Sequence, residues 1–229
     1  MVSSAMARML LADGRFPSGA HAHSAGVEAA VGAGLVRDLR DLEGWLVGCL
    51  HRHWLTEAAA AVHAAGLVSD EAPGEGWVHL DGEMTARTTS PLQRRASRVL
   101  GRQMLRAGGA VWPHPTLTTA AAVHPDGPVL PLAQGAVGAA AGLDPADVAG
   151  ICVYGSVQGA STAAIRLLGL DPYAVAGLLG RLASTVEQLT EAAVLAGAGS
   201  ARDLPAQGAP VLDLLLAAHD RADMRLFAT

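Results

Sequence analysis

The sequence predicts an all-α fold, and three observations carry that expectation. First, 51% of the 229 residues are hydrophobic but only 3% are aromatic, so alanine, leucine, valine and glycine supply the apolar bulk. These are helix-packing residues, whereas sheets draw on the aromatic and β-branched types that are thin here. Second, helix punctuation recurs. "SPLQ" sets capping Ser90 before a proline and completes a capping box with Gln93; "DPAD" does the same with Asp144 and Asp147; "DPY" at Asp171 repeats the first half. Third, Leu39, Leu42, Leu46, Cys49, Leu50 and His53 recur at spacings of three and four, the mark of one buried helix face.

In chain order, a first helix is expected near 3–13, followed by a Pro-Gly turn and a helix near 23–33. One long amphipathic helix runs from Asp38 to about Gly66, and further helices fall near 78–88, 91–107, 131–142, 146–168, 172–198 and 209–222. Breaks are expected at 69–76, 108–115 and 124–128, where glycine, proline and aspartate cluster. None is long enough to link domains, and no fixed-period repeat is present. Residues 1–229 therefore read as a single-domain bundle of about ten helices. After His219 the sequence "DRAD" loses its apolar spacing, so 222–229 reads as a mobile tail with Leu226 and Phe227 left in water.

The net charge is −5 and the charged share 16%, which argues against disorder and against nucleic acid as the main partner. All 16 basic residues are arginine. Without lysine there is no phosphate-loop lysine, Schiff base or lysine general base. Cys49 and Cys152 read as buried free thiols of a reducing compartment. The N-terminal segment lacks the charged start and apolar length of a secretory signal. The uncharged window "VAGICVYGSVQGASTAAI" carries Tyr154, Ser156, Gln158, Ser161 and Thr162, so a buried soluble helix is expected in place of a membrane span, and a cytoplasmic protein with it.

Four motifs invite chemistry. "HAHS" places His21 and His23 two apart beside Ser24. On a helix two such rings diverge by about 200°. A third metal ligand is missing, and Ser24 lacks the glycine pattern of a nucleophile elbow. His51 and His53 diverge likewise within the long helix. A turn leading into a helix is the favoured reading of "HAHS". Arg94, Arg98, Arg102 and Arg106, with Arg95 beside them, recur without an interleaved acid and point to an acidic partner or to ion pairs across an interface. Gly155 with Gly159, and Gly135, Gly138 and Gly142, suit close helix approach. The last residues, with Arg225, Leu226 and Phe227, have the make-up of a docking peptide.

Taken together, these residues resemble the urease accessory protein UreF family. "LLADGRFPSGAHAHSAGVEAAVGAGLV" is similar to the family's opening, matching at Phe16, Pro17, Gly19, Ser24, Gly26 and Glu28. "TARTTSPLQRRASRVLGRQMLR", "VYGSVQGASTAAIRLLGLDPYAV" and the terminal "RLFAT" follow in the family's order. The chain departs from the pattern at His21 (usually aromatic), at Asp171-Pro172 and at Thr229. The resemblance implies an all-α homodimer that is not an enzyme. It bridges a UreD/UreH-type scaffold and the GTPase UreG to support nickel insertion into apo-urease, with no tightly bound cofactor and nickel handled transiently at most. Phe16, Pro17, Gly19, His21, His23, Ser24, Glu28, Arg94, Arg98, Arg102, Arg225, Leu226 and Phe227 are then partner-binding candidates, and no residue is assigned as catalytic. Two alternatives stand beside it. One is a helical metal-binding or metal-dependent enzyme using His21, His23 and Glu28; the other is a helical DNA-binding regulator using the arginine helix.

Overall fold

The computed structural model describes residues 2–69, 74–219 and 226–227, and all regular structure among them is helical. The chain opens with α1 (Ser4–Ala12), a 3₁₀ turn (Ala20–Ala22) and α2 (Val27–Gly32). Then come α3 (Leu39–Cys49), a π-turn (Leu50–Trp54), α4 (Leu55–Ser69), α5 (Gly74–Arg87) and α6 (Pro91–Val111). The second half holds α7 (Pro115–Ala121), α8 (Leu130–Ala140), α9 (Pro145–Leu168), α10 (Pro172–Arg181), α11 (Ala183–Gly197) and α12 (Pro210–His219). The three punctuated starts are where expected. Ser90 Oγ accepts from the Gln93 amide (3.4 Å), Asp144 from Asp147 (2.8 Å), and Asp171 from Tyr173 and Ala174 (3.1 and 3.2 Å).

Helix α4 is the axis of the fold. Ala58, Ala59, Ala60, Ala61 and Ala64 are all buried, and α8, α9 and α11 pack around them. A helix apolar on nearly every side belongs in a core. Its methyl-sized side chains let backbones come close: a Cβ on Gly135 of α8 would collide with the Ala61 carbonyl oxygen, and one on Gly197 of α11 with that of Ala59. Helix α6 then covers the outer side of α8.

Several expected elements differ. The long helix from Asp38 is interrupted at Leu50–Trp54, where Arg52 leaves helical geometry (φ −120°, ψ −107°) and its guanidinium reaches the Gly208 carbonyl (3.1 Å). The expected 172–198 helix turns at Leu182, so that α10 stays on α3 and α9 while α11 lies on α4. The break expected from Gly108 does not occur there, because Gly108 backs directly onto Val137 and α6 runs on to Val111. Helix α7 falls at the end of the expected 108–115 break and past it, started by His114 whose Nδ1 accepts from the Thr116 amide (3.3 Å). Gly135 and Gly138 do mark close approach, but a Cβ on Gly155 or Gly159 would meet open space. Helix α9 meets the length and apolarity of a membrane span, and half of that window is buried inside the fold.

Candidate functional site

The opening segment is built by backbone conformation. Gly19 (φ 81°) and Gly26 (φ 84°) occupy the left-handed region, as does Ala25 (φ 51°). These residues turn the chain twice and delay α2 to Val27, where a start near 23 was expected. Phe16 is half-buried and stacks on Trp112 with ring centroids 6.3 Å apart; Pro17 and His21 are exposed. His23 is half-buried, and desolvation, followed by the charge of His21, lowers its pKa. Ser24 is fully buried and its Oγ accepts from the Glu28 amide (3.2 Å), which is a capping role. Among the described residues no three His, Cys, Asp or Glu side chains converge as metal ligands, so His21, His23 and Glu28 do not assemble the site that a metal enzyme requires.

Glu28 has a different partner. Its two carboxylate oxygens accept from the amides of Leu226 (2.6 Å) and Phe227 (2.9 Å), and His219 Nε2 lies 3.5 Å from Oε2. The Phe227 ring lies under the Arg166 guanidinium of α9, 4.8 Å from its centroid. Phe227 is therefore buried (5% exposed), which corrects the expectation that it stands in water, while Leu226 is exposed (56%) as expected. Arg225 and the rest of the 222–229 tail lie outside the described residues.

The arginine stripe divides. Arg98 is buried and clamps Asp81 with both Nη atoms (3.2 and 2.9 Å), while also reaching the Gly127 carbonyl (2.7 Å) and Thr85 Oγ1 (3.0 Å). The second role of Asp81 is to accept from the Val129 amide (3.1 Å). This corrects the reading of Arg98 as a partner-facing residue: its spacing pointed to one face, but the α5–α6 contact turns that face partly inward. Arg94 is half-buried and donates to the Thr88 and Thr89 carbonyls (2.5 and 2.9 Å). Arg102 is exposed and donates to the Asp126 carbonyl; Arg106 is exposed. The stripe is thus not the continuous basic face that a DNA-binding helix would present.

One cluster escaped sequence reasoning. At the π-turn, His53 faces inward with its Nδ1 buried and unpartnered, while His51 faces water. Desolvation lowers the His53 pKa to about 4 and raises that of Glu57 to about 7. It also pushes the Cys49 thiol up to about 12, with Glu57 adding to the effect, and raises Cys152, whose Sγ donates to Gln134 Oε1 (2.8 Å). Both thiols are protonated and buried, hence inert.

Comparison with known proteins identifies the family to which this all-helical layout belongs. The sequence profile of the UreF family matches residues 36–183. The urease accessory protein UreF of Mycobacterium sp. (strain JLS) is 42% identical over 224 residues, covering 96% of this chain and 97% of that protein. That of Mycolicibacterium vanbaalenii is 38% identical over 230 residues and covers both chains completely. That of Mycobacterium bovis (strain BCG / Pasteur 1173P2) is 39% identical over 223 residues. With near-complete coverage at such identity, the chain belongs to the UreF family of urease accessory proteins, which assist an enzyme and are not themselves catalysts.

Proposed function

We propose that the chain acts as a homodimeric cytoplasmic scaffold that bridges a UreD/UreH-type accessory protein and a UreG-type GTPase, and so supports nickel insertion into apo-urease. It carries no tightly bound cofactor, and nickel is cargo that it contacts transiently at most. The observation that carries the reading is α9: an apolar helix of 24 residues whose outward side, with Tyr154 and Gly155 exposed, is left uncovered. Uncovered apolar surface of this kind is a protein-docking surface. The tail segment 222–229 is the second docking element. Phe227 and the backbone around it rest on Glu28 and Arg166, and their exchange for a groove on the UreD/UreH-type partner exposes Glu28 and the opening turn at the same moment. Of the candidate residues in the opening, Pro17 and His21 are exposed and contact the partners directly, whereas Phe16, Gly19 and Ser24 hold the turn in shape.

The test is co-purification of the chain with tagged UreD/UreH-type and UreG-type partners, with and without GTP. A ternary assembly that also takes up apo-urease is expected. Recovery of neither partner under any nucleotide condition sinks the reading.

A further inference from the structure

The chain has another surface, lined by neither α9 nor Leu226 and Phe227. A groove of about 590 Å³ lies between the C-terminal half of α6, helix α7 and the 124–128 turn. Its floor is apolar, with Leu105, Leu117 and Pro128; its polar lining includes Arg102, Arg106 and His114, and no carboxylate. We propose that this groove is a docking site for an acidic, leucine-bearing segment of a partner protein. The proposal rests on the reading of the chain as a docking protein only for who the partner is.

Charge complementarity selects the occupant. Arg102 and Arg106 are one turn apart on α6, so their heads serve carboxylates spaced by one turn of a docked helix. Arg106 makes no ion pair with any described residue, in a chain whose net charge is −5. The Nδ1 of His114 is the acceptor for the Thr116 amide, so the proton of the neutral ring sits on Nε2, a third donor. The nearby Asp126 carboxylate lies 4.0 Å from His124 and is not part of the lining. An apolar floor between cationic edges suits a side chain flanked by carboxylates better than it suits a bare anion.

The groove is also built rigidly. Arg98 holds the Gly127 carbonyl from below, and Gly127 (φ 86°) lets the turn lie against the Arg102 stem where a Cβ would collide. The inward arginine thus fixes the wall that the outward ones line.

The experiment titrates the full chain with a fluorescein-labelled helical peptide carrying two glutamates four residues apart around leucines, and with its Gln and Lys counterparts. Saturable binding of the Glu peptide is expected, weakened about tenfold or more for the Gln peptide and for Arg106→Glu, and by raising salt. Thr118→Glu, on the exposed rim of α7, is expected to block binding without touching either arginine. Circular dichroism verifies the fold of each variant; Arg106 and Thr118 are both exposed, so neither substitution reaches the core. Equal binding of the Glu and Lys peptides, indifference to Arg106→Glu, or no saturable binding overturns the proposal. Because the probe is a peptide, failure here leaves co-purification with the urease partners untouched, and success here does not depend on it.

Discussion

Arg98 and Arg102 stand four residues apart on the same helix and look alike in the sequence, but their surroundings separate them. Arg98 is buried with Asp81, and the pair's remaining hydrogen-bonding capacity goes to Thr85, the Gly127 carbonyl and the Val129 amide. Removing one partner of such a pair leaves a buried charge uncompensated, which costs about 3–5 kcal/mol. Arg98→Ala is therefore expected to lower stability to urea by an amount of that order, whereas Arg102→Ala, exposed, changes it by about 0.5 kcal/mol or less. Equal effects from the two substitutions count against this division. The same chemistry recurs at Arg87 and Arg52. Arg87 donates to the Arg202, Leu204 and Pro205 carbonyls, and Arg52 to that of Gly208, so that guanidinium forks fasten the segment between α11 and α12 to the core. A single ammonium cannot span three carbonyls in that geometry.

At the scale of elements, the legible features were those with a local physical cause. The starts of α6, α9 and α10 follow from a capping side chain and a proline next to each other, and both act within one turn. The π-turn at Leu50–Trp54 has no such cause: the apolar spacing of three and four continues across it, and the interruption is set by packing against α9 and α11. That turn aims His53 and Glu57 into a poorly solvated junction, and it gives a pH signature. The folded chain holds the Glu57 proton up to about pH 7, while an unfolded glutamate releases it near 4.5. The unfolded state thus binds fewer protons across that window, and stability falls as pH rises through it. His53 has the opposite sign: its folded pKa near 4 lies below 6.5, so stability rises with pH between those values. The His53 contribution is common to the natural chain and to Glu57→Gln, so the difference between the two isolates Glu57. Glu57→Gln is expected to be near neutral at pH 4.5 and stabilising by up to about 3 kcal/mol at pH 8, read from urea unfolding at each pH. A difference that does not change with pH places the Glu57 carboxyl in water.

For the whole molecule, the arrangement of α9 decides what the protein does with its surface. The sequence showed the small residues of α8 and α9 but not their orientation, since Gly135 of α8 and Gly155 of α9 look equally suited to close packing. Only the long-range fold distinguishes them: Gly135 presses on the α4 backbone, whereas Gly155 and Gly159 have open space beyond their Cα atoms. Two glycines one turn apart that let nothing within this chain come close are placed for a helix from another chain. Helix α1 packs on α9. It is tied to α9 by Arg8 and Asp147 (3.1 Å) and exposes Met6 and Met9 (49% and 67%). In the proposed homodimer, a twofold axis beside α9 would bury the exposed side of this helix. Gly155→Arg discriminates sharply, because Gly155 is exposed and a Cβ there meets nothing within 4 Å in the single chain, yet the substitution would carry a charge into an isologous contact twice over. Sedimentation at micromolar concentration is expected to show a dimer for the natural chain and a monomer for Gly155→Arg, with helical circular dichroism unchanged. A dimer that survives Gly155→Arg moves the axis to another face, and a natural chain that sediments as a monomer removes the twofold partner altogether.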